Sequence, residues 1–507
     1  MAGTFYHRSE LCSERRCSSI RSELAPNEHQ FPNTYKCPSQ TELLAAIKSL
    51  PNNKAAGLDG IPAELYKADP VVATRVLLPL IQKTWENEAF PSEWTAGMVC
   101  KIPKKGDLKE CVNWRGICVL PAISKIIAKI VLERIKEHLY STIDDEQAGF
   151  RPSSSCTDHI NTLRIIIEQC AEYRSGLHLH LFVDFEKAFD SVHRDCIWAA
   201  LRRRNVPEKI IAIIQTMYNG AKCHVLHRGS LSEPFDVQSG VRQGCILSPI
   251  LFLIVIGDVI RASMVPLPNH GIRWTMTERL QHLDYADDIC LLAHRLLDLS
   301  TMAQALDREA SSAGLKINIR KTKTLSPEGQ PTGRVEIAGN QIEMVDSFTY
   351  LGSIVAKKGG TELDVTNRIS KARAAFGMMS TIWRNNNLSS TLKIRLFKSN
   401  VLSVLLYGCS TWKVTTSITR RMQVFVNRCL RSIFRIRMTD RVSNEELLRR
   451  ANLEPLGSKI KGQKWRWIGH TLRKDQSCIA RKAMEWNPLD SRARREKTEA
   501  SISPGRS

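Results

Sequence analysis

The chain has 507 residues, 43% of them hydrophobic and 24% charged, with a formal net charge of +22. That length and apolar content suffice for two or three domains with sizeable cores, and they exclude a chain too polar to fold. The charge favours a polyanionic partner bound in a salt-dependent way, and it is uneven: residues 420–507 hold 22 Lys and Arg against 9 Asp and Glu.

In chain order, residues 1 to about 40 are polar, lack periodicity and contain Pro26 and Pro32, so little fixed structure is expected there. "TELLAAIKSL" reads as a helix, a second helix starts at Pro62, and "VVATRVLLPLIQKTWENEAF" is a helix ended by Pro91. "AGMVCKIPKKGD" is a short strand running into a basic turn. "AISKIIAKIVLERIKEHLY" carries apolar residues at three- and four-residue spacing, and "CTDHINTLRIIIEQCAEYR" also reads as a helix. "LHLHLFVDF" alternates like a strand and ends in Asp184. Two helices split near Pro207 follow, then a hairpin over "AKCHVLHRG" and "LSEPFDVQSG", then a buried helix in "GCILSPILFLIVIGDVIRAS". "LQHLDYADDICLLAH" reads as strand, turn, strand; "LSTMAQALDREASSAGLKIN" as a helix capped by Gly314; "FTYLGSIV" as another short strand. Residues 361–482 are mostly helical and basic. Helices mixed with antiparallel hairpins point to an α+β fold rather than a doubly wound sheet.

The longest apolar run, "ILSPILFLIVIGDVI", is broken by Ser248, Pro249 and Asp258 and is too short to span a bilayer, so no membrane association is expected. Fifteen cysteines without a repeating pattern suggest a reducing compartment. An intracellular protein is expected, in the nucleus with a cytoplasmic pool.

The chemistry centres on three carboxylates. Asp287 and Asp288 are adjacent like charges inside an apolar stretch, and their repulsion calls for a counter-charge. A hard divalent cation with oxygen ligands supplies one. Asp184 ends its strand just where the chain turns into "FEKAFDSVHR". If that strand lies beside the hairpin, three carboxylates meet and can hold two Mg²⁺ ions about 4 Å apart, the arrangement of nucleotidyl transfer.

"LFVDFEKAFDSV", "SGVRQGCILSP" and "YADD" resemble, in order and spacing, motifs A, B and C of reverse transcriptases. "NNKAAGLDGIPAELYK", "NWRGICVLPAISKIIAKIVLERI" and "DDEQAGFRPSSSCTDHI" are similar to blocks of the non-LTR (LINE-type) retrotransposon enzymes, and "VLLYGCSTW" and "WRWIGHTLRKD" to the region beyond the polymerase core in the RTE-like branch. The resemblance runs from about residue 41 to about 487.

It implies a right-hand polymerase, with fingers and palm over 41–353 and a helical thumb and basic C-terminal region over 354–507. It implies an RNA-directed DNA polymerase taking an RNA template, a DNA primer or target and dNTPs, with Mg²⁺ as cofactor and Mn²⁺ able to substitute. Asp184, Asp287 and Asp288 would be catalytic and would hold the metal with the carbonyl of Phe185. Phe189, five residues after Asp184, would be a steric gate against a ribose 2′-OH. Lys101 and Arg115 would clasp the triphosphate, with Lys104 and Lys105 as alternatives. Gly240, Arg242, Gln243 and Gly244 would position nucleotide and template. Lys321 or Lys323 would protonate the leaving pyrophosphate, and "FTYLGSIV" would grip the primer as a hairpin. Trp465 and Trp467 would either stack on bases or fill a core.

Such elements also carry an endonuclease, for which the 40 residues before the first match leave no room; a fragment is therefore expected. The competing expectation is a catalytically inactive remnant that binds nucleic acid by charge alone.

Overall fold

The computed structural model describes residues 35–487 apart from 105, 174–178, 276–277, 327–332 and 358. The expected unstructured N-terminal stretch therefore lies outside the described residues up to position 34, as do Lys105 and the basic tail from 488 onward.

The strands, in chain order, are β1 (Gly97–Pro103), β2 (Trp114–Val119), β3 (Leu179–Val183), β4 (Lys222–His227), β5 (Ser230–Leu231), β6 (Phe235–Asp236), β7 (Ile272–Arg273), β8 (Arg279–Leu280), β9 (His282–Tyr285), β10 (Asp288–Ala293), β11 (Lys323–Leu325), β12 (Glu336–Ile337), β13 (Asn340–Gln341), β14 (Glu343–Met344), β15 (Ser347–Tyr350) and β16 (Ser353–Ala356). They build a first sheet in the order β2-β1-β4-β5, with β6 on β4, and a central sheet in the order β14-β11-β3-β10-β9. Strand β3 lies between β10 and β11 and is antiparallel to both. Helices and mainly antiparallel ladders together make the α+β fold that the mixed pattern predicts.

The two-residue period of a strand explains why the central sheet is apolar on both faces. Leu181, Val183, Ile289, Leu291 and Ala293 join one core with the helices Ala122–Ser141, Ser248–Met264 and Leu296–Ser312. Phe182, Cys290 and Leu292 turn the other way, onto the helix Cys156–Tyr173. The helix Ser248–Met264 is apolar nearly all round, and Pro249 sits in its first turn, where a missing N–H costs nothing.

"FTYLGSIV" is not one strand but the hairpin β15–β16. Leu351 and Gly352 both take left-handed backbone, with φ of 46° and 78°, which turns the chain back on itself. The helix begun at Pro70 stops at Glu86, before Pro91, because Glu88 also turns left-handed at φ 51°.

Beyond the hairpin, the helices Thr361–Met378, Ser390–Phe397, Thr416–Phe434 and Leu456–Leu472 share a core built on Trp383, Phe397, Trp412 and Ile460. One buried ion pair joins this core to the central sheet. Arg164, on the helix Cys156–Tyr173, reaches Asp364 Oδ2 at 3.1 Å, with side-chain exposures of 2% and 0%. Arg164 also donates to Ile354 O at 2.9 Å and to Thr411 Oγ1 at 2.5 Å. Asp364 accepts from Ser353 Oγ at 2.5 Å, from Ile354 N at 3.1 Å and from Trp412 Nε1 at 2.9 Å. The C-terminal end then returns to the end of the two-stranded sheet β7–β8: Trp486 stacks on Trp274 with centroids 5.4 Å apart, and its Nε1 donates to Arg273 O at 3.0 Å.

The β9–β10 turn is held from outside by one carboxamide. Gln147 Oε1 accepts from Ala286 N at 2.8 Å and from Gly149 N at 2.8 Å, and its Nε2 donates to Ala286 O at 3.3 Å. Ala286 is left-handed at φ 56°, a conformation that needs such support in a residue with a Cβ. Gly149 lies so close under the turn that a Cβ on it would meet Ala286 N at 2.2 Å.

Two outcomes follow for stability. Arg164→Met removes the nearer cation from buried Asp364 and leaves only Arg368, 3.8 Å away, so it should cost about 3 kcal/mol, read as a lowered urea midpoint. Gln147→Leu strands two buried N–H groups and should cost roughly 2–4 kcal/mol, with amide exchange accelerating at Ala286 and Gly149 more than in the strands behind them.

Candidate active site

Strand register brings the carboxylates together. Val183 pairs with Ile289 across β3 and β10, so the next residue of β3's path, Asp184, stands opposite Asp288. Phe182 pairs with Lys323 across β3 and β11, so the same position stands opposite Lys321 on the other side. Lys321, Asp184 and Asp288 thus form one row across the end of the central sheet, and Asp287 sits in the adjoining two-residue turn. Lys321 Nζ lies 3.1 Å from Asp184 Oδ2. Lys323 points elsewhere and pairs with Glu343 at 2.5 Å. Asp184 is further fixed through its backbone: its N–H donates to Thr322 Oγ1 at 3.3 Å, and its carbonyl accepts from Asn318 N at 2.7 Å.

The electrostatics show the cost of this arrangement. Desolvation, then the charges of Asp287 and Asp184, push the Asp288 carboxyl up to about 6, against the pull of Lys321. Asp288 faces the open cleft, yet the surrounding protein still strips much of its water. Asp287 is raised too, by burial first and by Asp184 next, while Arg115 and Lys321 oppose the shift. Among the described residues no three His, Cys, Asp or Glu side chains are grouped so as to hold a metal ion. The donor set itself is all oxygen and carries more negative charge than one lysine can balance, which suits a hard cation.

The row lies in a cleft of ≈ 2820 Å³ that is also lined by Lys101, Lys104, Arg115, Phe185, Phe189, Gln243 and Gly244. The structure therefore brings these residues and the three aspartates to one space, while Gly240 and Lys323 do not line it. Lys101, on β1, lies over the Trp114 ring at 5.0 Å, and Arg115 stands opposite Ile102 on β2. Lys104 binds its proton less tightly than a free lysine, through partial burial first and then through the nearby charges of Arg115 and Lys321. Crowded cations, only partly offset by Asp190, make an anion-receptive wall. Phe185 is buried and bridges to Ile317, which leaves its backbone at the rim of the row. Phe189 stacks on Phe252 with centroids 4.4 Å apart and planes at 16°. Gln243 Nε2 donates to Asp190 Oδ1 at 3.1 Å, and Gln243 O accepts from Cys118 N at 2.7 Å. Gly244, at φ 121°, has no room for a side chain, since a Cβ would meet Cys118 O at 2.3 Å.

One expectation is narrowed and one open choice is divided. Arg242 borders the cleft, but its guanidinium is bound inward: it is 6% exposed, donates to Thr95 O at 3.0 Å and Met217 O at 2.6 Å, and lies over the Tyr218 ring. Its charge fastens the site loop to the scaffold. The tryptophans of "WRWIGH" divide. Trp467 Nε1 donates to buried Asp158 at 2.8 Å, beside Lys474 at 2.9 Å, so it anchors its helix; Trp465 is 70% exposed.

Sequence reading missed Gln147, Asp190 and Asp284. Asp284 is 2% exposed, pairs with His282 at 2.8 Å, and through its backbone joins β9 to Glu146 and Ala148. A sequence signal was available for two of the three: a third aspartate in "DYADD" on a buried strand for Asp284, and a glutamine directly before "AGF" for Gln147.

A family model described as "Reverse transcriptase (RNA-dependent DNA polymerase)" matches residues 102–355, and one for a domain of unknown function matches 375–407. The chain is 28% identical over 479 residues to the "Probable RNA-directed DNA polymerase from transposon BS" of Drosophila melanogaster, covering 88% of this chain and 50% of that protein. It is 25% identical over 414 residues to the "Retrovirus-related Pol polyprotein from type-1 retrotransposable element R2" of Popillia japonica, covering 78% and 55%. Among solved structures, apo telomerase from Candida tropicalis truncated from its C-terminal domain aligns with a TM-score of 0.40 at 16% identity, covering 53% of this chain and 54% of that one. The chain spans about half the length of these curated relatives. The stretch 102–355, which is half of the chain and holds the carboxylate row, Arg115, Phe189 and Gln243, places this protein in the reverse transcriptase (RNA-dependent DNA polymerase) family.

Proposed function

We propose that this chain is an RNA-directed DNA polymerase that extends a primer 3′-OH with dNTPs on an RNA template, in the replication of a non-LTR retrotransposon in the nucleus. The observation that carries the reading is the row Lys321–Asp184–Asp288, with Asp287 beside it, in a cleft also lined by Lys101, Lys104 and Arg115. In this reading the first sheet belongs to the fingers, the central sheet to the palm and the C-terminal helices to the thumb.

Asp184, Asp287, Asp288 and the Phe185 carbonyl would hold Mg²⁺, with Mn²⁺ able to substitute; the metal supplies charge neutralisation and lowers the pKa of the primer hydroxyl. The chain's own groups do the rest. Arg115, Lys101 and Lys104 receive the triphosphate, Arg115 through its planar donors and the lysines as point charges. Gln243, held by Asp190, positions the nucleotide beside Gly244, whose backbone can approach closely. Phe189, immobilised on Phe252, excludes a 2′-OH. Lys321 carries a proton to the leaving pyrophosphate, since Lys323 is committed to Glu343. The hairpin β15–β16, tied to Tyr407 at 2.8 Å through Leu351 O, grips the primer.

Primer extension on a homopolymer RNA template with Mg²⁺ should proceed with the parent and fall by at least about 10³-fold in the Asp287→Asn, Asp288→Asn double variant. Soluble, folded parent protein that shifts RNA in a gel but incorporates nothing would replace this reading with a binding remnant.

Stability against pH gives an independent check. The Asp288 carboxyl titrates at about 6 in the folded protein, above its usual 3.8, so the folded state loses stability as pH rises from about 4 to about 6. With chelator present, Asp288→Asn should therefore raise Tm at pH 8, and the gain should vanish by pH 4. Mg²⁺ should raise the Tm of the parent and leave that of the double variant unmoved.

A further inference from the structure

Phe150, in the segment that braces the β9–β10 turn, has an unusual geometry. It is a large aromatic residue with φ of 51°, in the left-handed region, where a non-glycine residue costs about 1–3 kcal/mol. The strain does not serve burial, because the side chain stays 49% exposed and lines the cleft that holds the carboxylate row. Its ring meets the ring of Phe189 edge-on, with centroids 6.1 Å apart and planes at 76°. Phe189 is thereby held on one face by Phe252 and at its side by Phe150.

The backbone of Phe150 has little freedom to withdraw. Gly149 is pressed under the β9–β10 turn and gives its N–H to Gln147 Oε1 at 2.8 Å. The carbonyl of Phe150 accepts from Tyr140 Oη at 3.2 Å. The segment that clamps the metal-binding turn therefore also fixes this ring in the cleft.

We infer that Phe150 is a second wall of the sugar pocket and acts with Phe189 to discriminate deoxyribonucleotides from ribonucleotides. A fixed apolar ring removes water from a hydroxyl and offers no hydrogen bond in return, which penalises a ribose and spares a deoxyribose. Two rings at a wide angle close a corner that one ring leaves open.

The inference rests on the reading of Phe189 as the gate, and the experiment separates the two. Single-nucleotide incorporation is measured for a dNTP and the matching rNTP with the parent, Phe150→Gly, Phe150→Leu and Phe189→Ala. Phe150→Gly suits the left-handed backbone, so its melting temperature should hold or rise. Both Phe150 variants should raise the rNTP-to-dNTP ratio of kcat/KM about tenfold, chiefly through a lower KM for the rNTP. In a double variant the Phe150→Leu and Phe189→Ala effects should fall short of additive, because the two rings share one corner. An unchanged ratio in both Phe150 variants, with Phe189→Ala raising it, overturns the inference and keeps the gate. An unchanged ratio in all three overturns both.

Discussion

Like charge in a confined space is the constraint on which the rest of this structure depends. Asp184, Asp287 and Asp288 are crowded at one end of the central sheet, and burial first, then the charge of neighbouring aspartates, raises the proton affinity of Asp287 and Asp288. The fold meets this with position rather than with a matching set of buried counter-charges. Two apolar faces make the central sheet rigid up to its last pair, Val183 with Ile289, and the carboxylates begin one residue later, at the open end. Lys321 arrives in the same row from the other side of β3, through the register of β11. A single lysine leaves negative charge over, and that surplus is what a divalent cation would neutralise.

Rigidity has to reach the turn itself. A two-residue turn with Ala286 at φ 56° would fray if only its own strands held it. Gln147 prevents this by satisfying both the N–H and the carbonyl of Ala286, and the backbone of Asp284 pairs with Glu146 and Ala148 just behind. The chain between the helices Ala122–Ser141 and Cys156–Tyr173 is thus a brace for the hairpin. The second helix then carries Asp158 and Arg164, which fasten the helices beyond the hairpin through Trp467, Lys474 and Asp364. This helix is one link between the site region and the C-terminal helices; Trp486 at Trp274 and Lys482 at Glu278 are others.

Much of this was legible in the sequence, and the limit has a physical cause. The strand ending in Asp184, the hairpin over "YADD" and the helix between Ser248 and Met264 follow from local periodicity and turn chemistry. The convergence of Asp184 with the aspartate pair needed the motif order, because periodicity does not give register between β3 and β10. Choosing between Lys321 and Lys323 needed the β3–β11 register, which rests on a pairing of only three residues. Gln147, Arg242 and Trp467 do their work through partners 139, 147 and 309 residues away. Nothing in the windows around those residues marks such contacts.

The same distinction sorts the positive charge. Counted along the chain, every arginine suggests affinity for a polyanion, but several are spent inside the protein. Arg164 faces Asp364, Arg204 faces Asp258 at 2.7 Å, and Arg242 caps backbone carbonyls. Arg suits these places because its planar donors satisfy several acceptors at once and its charge is weakly hydrated. What remains for a nucleic acid includes exposed Arg115 and half-buried Lys101 at the cleft, and exposed Arg420, Arg428, Lys461, Arg466 and Arg473 in the C-terminal part. Exposed Trp465 lies among the last of these, one residue before Arg466, where an aromatic face and a phosphate contact are available together. The +22 of the sequence therefore measures two things, and only the solvated part of it would set how steeply binding falls with salt.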